Sequence, residues 1–95
     1  MRKGYVFTII NTVTGEQLIL STVNYIKCKQ LYESRLNNGE FHNEDLQRDY
    51  SIWGKENFEF KLLEEVTDED LTKVKNKYID MFKTMRVGYN RKLQH

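Results

Sequence analysis

Proline is absent from this 95-residue chain, cysteine occurs once and tryptophan once, and no long apolar run exists. One cysteine rules out an intrachain disulfide and fits a reducing, cytoplasmic setting. Nothing approaches the roughly 18 consecutive apolar residues of a membrane span. No apolar stretch follows Met1-Arg2-Lys3 as a secretion signal would require. The expectation is a soluble protein with no membrane partner. Charge of either sign is also not in excess. Fifteen Lys and Arg against fourteen Asp and Glu leave a formal +1, so only local clustering of charge could favour nucleic acid. Repeats, linkers and low-complexity tracts are missing as well, which predicts a single domain over residues 1–95. What the chain does have is rings. Six Tyr, five Phe and one Trp make up 13% of it, and their large buried areas help a chain this short build a core.

The aromatic and β-branched segment Tyr5-Val6-Phe7-Thr8-Ile9-Ile10 predicts a strand, and Glu16-Gln17-Leu18-Ile19-Leu20 a second, joined by a loop over Asn11 to Gly15. Asn24 is placed to cap a helix with an apolar stripe of Cys28, Leu31 or Tyr32, and Leu36. Asn37-Asn38-Gly39 closes it. Asn43 opens a shorter helix repeating Leu46, Tyr50 and Trp53 and stopping at Gly54. Asn57 to Leu62 alternates with period two, the pattern of a half-buried strand. Thr67, followed by Asp68-Glu69-Asp70, predicts the start of a helix whose stripe is Leu71, Val74, Tyr78, Phe82 and Met85, ending near Thr84. The order β-β-α-α-β-α describes an α+β domain with a small, mainly antiparallel sheet.

Three stretches carry more than secondary structure. They are Leu46-Gln47-Arg48 leading to Gly54-Lys55-Glu56-Asn57-Phe58-Glu59-Phe60, the frame of Asn11 and Gly15 with Ser21, Val23 and Asn24, and Tyr78-Ile79-Asp80 with Gly88-Tyr89-Asn90. In this order and spacing, over about residues 4 to 91, they resemble the GIY-YIG nuclease family, in its phage and bacterial homing-endonuclease branch. The resemblance implies a three-stranded antiparallel sheet flanked by three helices. It also implies single-metal hydrolysis of a DNA phosphodiester. Tyrosines of the hairpin strands handle the attacking water, an Arg on the first helix steadies the phosphate, and a Glu on the last long helix holds the cation.

Aligned on those frames, the name-giving tripeptides fall on Tyr5-Val6-Phe7 and Leu18-Ile19-Leu20. The helix Arg falls on Cys28, the His one turn later on Tyr32, and the metal-binding Glu on Lys75. Phe7 has no hydroxyl to exchange a proton, and Cys28 lacks the forked donors of a guanidinium. Lys75 matters most. An ammonium about 4 Å from a divalent cation is repelled by on the order of 8 kcal/mol at an effective dielectric near 20. A one-residue shift, with Gly4-Tyr5-Val6 as the first tripeptide, recovers the glycine, and Tyr5 with Tyr25 or Tyr32 could then supply a displaced hydroxyl. The carboxylate is still missing. The expectation is no metal, no cofactor and no cleavage.

The first functional expectation is binding of double-stranded DNA without cutting. Lys75 would meet a phosphate directly, with Lys27 and Lys29 on the first helix and Lys73, Lys77, Lys83, Arg86, Arg91 and Lys92 adding charge. Lys75 points away from the face shared by Lys73 and Lys77, so these residues do not form one continuous stripe. The alternative is a small inhibitor or adaptor of a host or phage protein in the host cytoplasm, with Phe41, Trp53 and Tyr89 as interface anchors near element ends. His42 has no metal-binding neighbours at zinc spacing and reads as a loop residue; Cys28 reads as an inert, inward-facing thiol.

Overall fold

Strand alternation sorts the core into two layers. A computed structural model of the chain describes residues 2–82 and 88–90. Strands β1 (Lys3–Asn11), β2 (Gln17–Thr22) and β3 (Phe58–Thr67) form one antiparallel sheet in the order β2-β1-β3. Antiparallel partners share a face, so Phe7 opposite Leu20 and Ile9 opposite Leu18 point to one side. Helices α1 (Tyr25–Asn38) and α2 (Glu44–Trp53) cover that side with Leu36 and Leu46. Val6 and Ile19 point to the other side, where α3 (Leu71–Phe82) lays down Leu71, Val74, Tyr78, Ile79 and Phe82. The α+β order and the three-stranded antiparallel sheet are as the sequence predicts.

The local signals behave as their chemistry requires. The Asn24 and Asn43 side chains accept from the backbone N–H groups of Lys27 and Leu46, capping α1 and α2. Gly39 takes the left-handed conformation (φ 75°) that ends α1. Of the two candidates in the α1 stripe, Tyr32 turns inward and Leu31 stays exposed.

Three features differ from the sequence reading. β3 runs on to Thr67 rather than stopping at Leu62 because it is bulged. Phe7 pairs with Leu62 but Val6 pairs with Glu64, so Leu63 is an extra residue and the period-two pattern breaks there. Thr67 does not cap a helix. The Asp68 N–H still bonds the Arg2 carbonyl at 3.0 Å, prolonging the strand pairing, and the Thr67 hydroxyl meets the Asp70 carboxylate at 3.3 Å. A short 3-10 turn, Asp68–Asp70, intervenes before α3 begins at Leu71. Trp53, placed in the α2 stripe, is 41% exposed. Thr84 and Met85 lie outside the described residues.

The closing Gly88-Tyr89-Asn90 segment is buried. Strand β2 is at the sheet edge and its outward backbone groups need partners. The Asn90 carboxamide supplies both, accepting from the Ile19 N–H at 2.7 Å and donating to the Ile19 carbonyl at 2.9 Å. The Tyr89 hydroxyl donates to Asp49 at 2.7 Å and accepts from Asn11 at 3.2 Å, while Asn43 donates to the Tyr89 carbonyl at 2.8 Å. Replacing Asn90 by Ala leaves two buried backbone groups unpaired. It is expected to lower stability by about 2–4 kcal/mol, seen as a lower urea midpoint with an unchanged slope.

Candidate functional site

On the helix-covered side of the sheet, Phe7 is the centre of a ring cluster. Its centroid lies 5.2 Å from Tyr25, edge to face, and 6.4 Å from each of Tyr32 and Phe60. Leu18 and Leu20 are buried beside it, and Cys28 and Tyr32 reach in from α1. Tyr5 continues the row of rings, 6.5 Å from Tyr25. The fold thus gathers Tyr5, Phe7, Leu18, Leu20, Cys28 and Tyr32 on one face. Phe7 and Leu18 are fully buried, so that part of the face is packed core.

The accessible part lies at the α1 edge. A cleft of about 420 Å³ is lined by Thr22, Asn24, Lys27, Cys28, Leu31 and Tyr32. Burial, then the neighbouring Cys28, push the Tyr32 hydroxyl pKa up, with Arg35 acting the other way. At neutral pH that hydroxyl therefore keeps its proton. Next to Tyr32 stands His42, 5.7 Å between centroids, itself tilted against Phe41 at 4.5 Å. Burial chiefly, then Arg35 and Lys75, hold the His42 pKa below its ordinary value. Lys75 of α3 thus acts electrostatically on the histidine that lies beside Tyr32.

Two residues of this cluster, Arg35 and His42, were not predicted as site residues. Arg35 sits one turn beyond Tyr32 on α1, which periodicity could have flagged. His42 is brought in by the α1–α2 connection, for which no local signal exists. Among the described residues neither Arg35 nor Lys75 forms an ion pair. No three His, Cys, Asp or Glu side chains there gather as a metal-binding group. Glu64 on β3 faces α3 and is engaged by the Tyr78 hydroxyl at 2.8 Å and Lys77 at 3.3 Å.

No protein-family model and no curated protein matches the chain. Solved structures do. The catalytic domain of the intron endonuclease I-TevI, as a point mutant, superposes with a TM-score of 0.83 at 26% identity, covering 93% of this chain and 92% of that one. A further structure of the catalytic domain of the homing endonuclease I-TevI gives a TM-score of 0.84 at 23% identity, covering 90% and 95%. The chain is a GIY-YIG-like domain.

In this GIY-YIG-like domain the lysines marked by the sequence fall in different places. Lys27 lines the cleft, and Lys75, half-buried on α3, acts electrostatically on His42. Lys29 leans the other way, its ammonium 6.0 Å from the Phe60 centroid. Lys77 is directed at Glu64 and the Tyr78 ring, and Lys73 is exposed on α3. Lys83, Arg86, Arg91 and Lys92 lie outside the described residues. Of the proposed interface anchors, Phe41 and Tyr89 are buried in the core and unavailable; Trp53 alone is exposed.

A histidine whose pKa falls on folding leaves the unfolded chain binding the extra proton. Stability is therefore full above the ordinary value of 6.5 and is lost as pH drops below it. The variant His42→Gln is expected to flatten that slope in denaturation series. Lys75→Gln is expected to raise the His42 pKa part of the way back toward 6.5, measured by NMR titration of the imidazole.

Proposed function

We propose that this GIY-YIG-like domain binds double-stranded DNA through the cleft beside Tyr32 and does not cleave it. The observation that carries the reading is the charge around His42. Lys75 and Arg35 both act to lower the His42 pKa and have no ion-pair partner among the described residues, and Lys27 lines the cleft beside Tyr32. Unpaired cations around an open cleft attract phosphate, and releasing counterions from DNA makes such binding strong at low salt and indifferent to sequence.

Loss of cleavage rests on the same residues. The resemblance aligns Lys75 with the glutamate that holds the divalent cation in the nuclease family. Mg²⁺ needs anionic oxygen donors, and an ammonium offers none. The residues present do not fit a metal. Nor does a tyrosine replace it. Phe7 has no hydroxyl, and Tyr32 is held in its protonated form. The lone thiol of Cys28 suits a reducing cytoplasm. A role as adaptor or inhibitor of another protein is a second reading, favoured by the exposed pair Ile52 and Trp53 at the end of α2.

The expected outcome is a gel shift with duplex DNA that weakens steeply across a salt series. Lys75→Glu should weaken it at every salt concentration, and Lys27→Ala should reduce the salt slope by about one phosphate's worth, ~0.9. Plasmid incubated with the protein and Mg²⁺ should stay supercoiled. Nicking that stops on chelation overturns the non-cleaving reading, and no shift even at low salt overturns DNA binding.

A further inference from the structure

The sheet closes one of its edges and leaves the other open. Asn90 satisfies the edge of β2, whereas β3, at the far end of the order β2-β1-β3, has no strand beyond it among the described residues. The register fixes which backbone groups of β3 face outward. The Thr12 N–H bonds the Asn57 carbonyl at 2.8 Å, one step past the pair Asn11–Phe58. Antiparallel pairs alternate between bonded and non-bonded. Ile10–Glu59 and Thr8–Lys61 are therefore bonded, and the backbone groups of Phe58, Phe60 and Leu62 point away from β1. The Phe58 N–H is taken by the Lys55 carbonyl. Its carbonyl, and both groups of Phe60 and Leu62, find no partner among the described residues. The bulge at Leu63 then ends the regular edge.

The side chains along that edge complement themselves. Phe58, Phe60 and Leu62 share the face of Ile9 and Phe7, and Glu59 and Lys61 share the other. Both charges are exposed and neither forms an ion pair among the described residues. A second β3 laid antiparallel with its axis at Glu59 would set that carboxylate against itself. An axis at Lys61 would oppose two ammonium groups, and like charges directly opposite destabilise. With the axis at Phe60, Glu59 of each copy stands opposite Lys61 of the other, and Phe58 stands opposite Leu62 on the apolar face. Lysine on an open edge commonly guards against pairing; here it selects one register.

We infer that β3 pairs with β3 of a second copy of this chain, antiparallel about Phe60, joining two sheets into one. The Phe60 N–H of each copy donates to the Phe60 carbonyl of the other, and the Leu62 N–H to the Phe58 carbonyl. Opposed residues share a face, so both α1 helices lie on the same side of the joined sheet. The contact uses no residue that lines the proposed DNA cleft, and either can fail without the other.

Sedimentation equilibrium in the absence of DNA tests it. So short a contact predicts self-association with a dissociation constant on the order of 10⁻⁴ M. Lys61→Glu and Glu59→Lys each place like charges opposite and are expected to weaken it at least about tenfold. The chain carrying both changes regains opposite charges and should associate as the parent does. The two single variants, mixed in equal amounts, should pair with each other. In hydrogen exchange, the Phe60 and Leu62 amides should slow between about 10 µM and about 1 mM protein, while those of Glu59 and Lys61, bonded to β1, stay protected at both. A monomer up to about 1 mM overturns the inference. So does a dimer that either single variant leaves as tight as the parent, that the double change does not restore, or that leaves the Phe60 and Leu62 amides exchanging as before.

Discussion

The double hydrogen bond between Asn90 and Ile19 holds the two ends of this fold together. It fills the open edge of β2 with a side chain that imitates a strand. The residue before it, Tyr89, passes into the core and ties Asn11 of β1 to Asp49 of α2. Three parts of the chain far apart in sequence thereby share one buried polar knot, and every member is satisfied. A fully paired network of this kind fixes one arrangement, because any displacement strands a buried donor or acceptor. The hairpin, α2 and the closing segment are registered against one another, and α1 is pinned over Phe7 as a consequence.

Helix α1 then divides the surface in two. Its buried row is Cys28, Tyr32 and Leu36. Residues one position earlier, Lys27, Leu31 and Arg35, lie about 100° to one side, and residues one position later, Lys29, Glu33 and Asn37, about 100° to the other. The first row borders the cleft next to His42 and Lys75. The second borders a ring-lined groove with Glu56. The first row carries two cations, whereas Lys29 and Glu33 offset each other in the second, so a formal charge of +1 conceals a separation of net charge across one helix. Composition averages over that separation; periodicity does not.

Much of the fold was legible because its signals are local. Asn24, Gly39, Asn43 and Gly54 act on the few residues around them, and the two helices they bound are found where those residues stand. The misreadings come from contacts that no window of sequence contains. The bulge at Leu63 depends on the register of β3 against β1. Thr67 loses its capping role because Asp68 bonds a carbonyl sixty-six residues earlier, that of Arg2. Tyr89, at an element end in sequence, is in space the centre of the polar knot. The same limit governs the site. Phe7, Leu18, Cys28 and Tyr32 could be grouped through resemblance to a known family, and Arg35 follows Tyr32 by one turn of α1, but His42 joins them only through the path of the α1–α2 connection.

Such a scaffold separates what folding needs from what chemistry needs. Phe7 fills its place in the ring cluster against Tyr25, Tyr32 and Phe60 by volume alone, and packing there is indifferent to whether a ring carries a hydroxyl. Leu18 and Leu20 beside it are ordinary buried core. Such changes add apolar burial of ~0.8 kcal/mol per methylene, and they remove the polar atoms that a core would otherwise have to satisfy. Lys75 lies at the margin, partly exposed and next to a histidine whose protonation it opposes. A cation there gains nothing from packing. Arg35 opposes protonation of the same histidine, so two cations from different helices act on one ring.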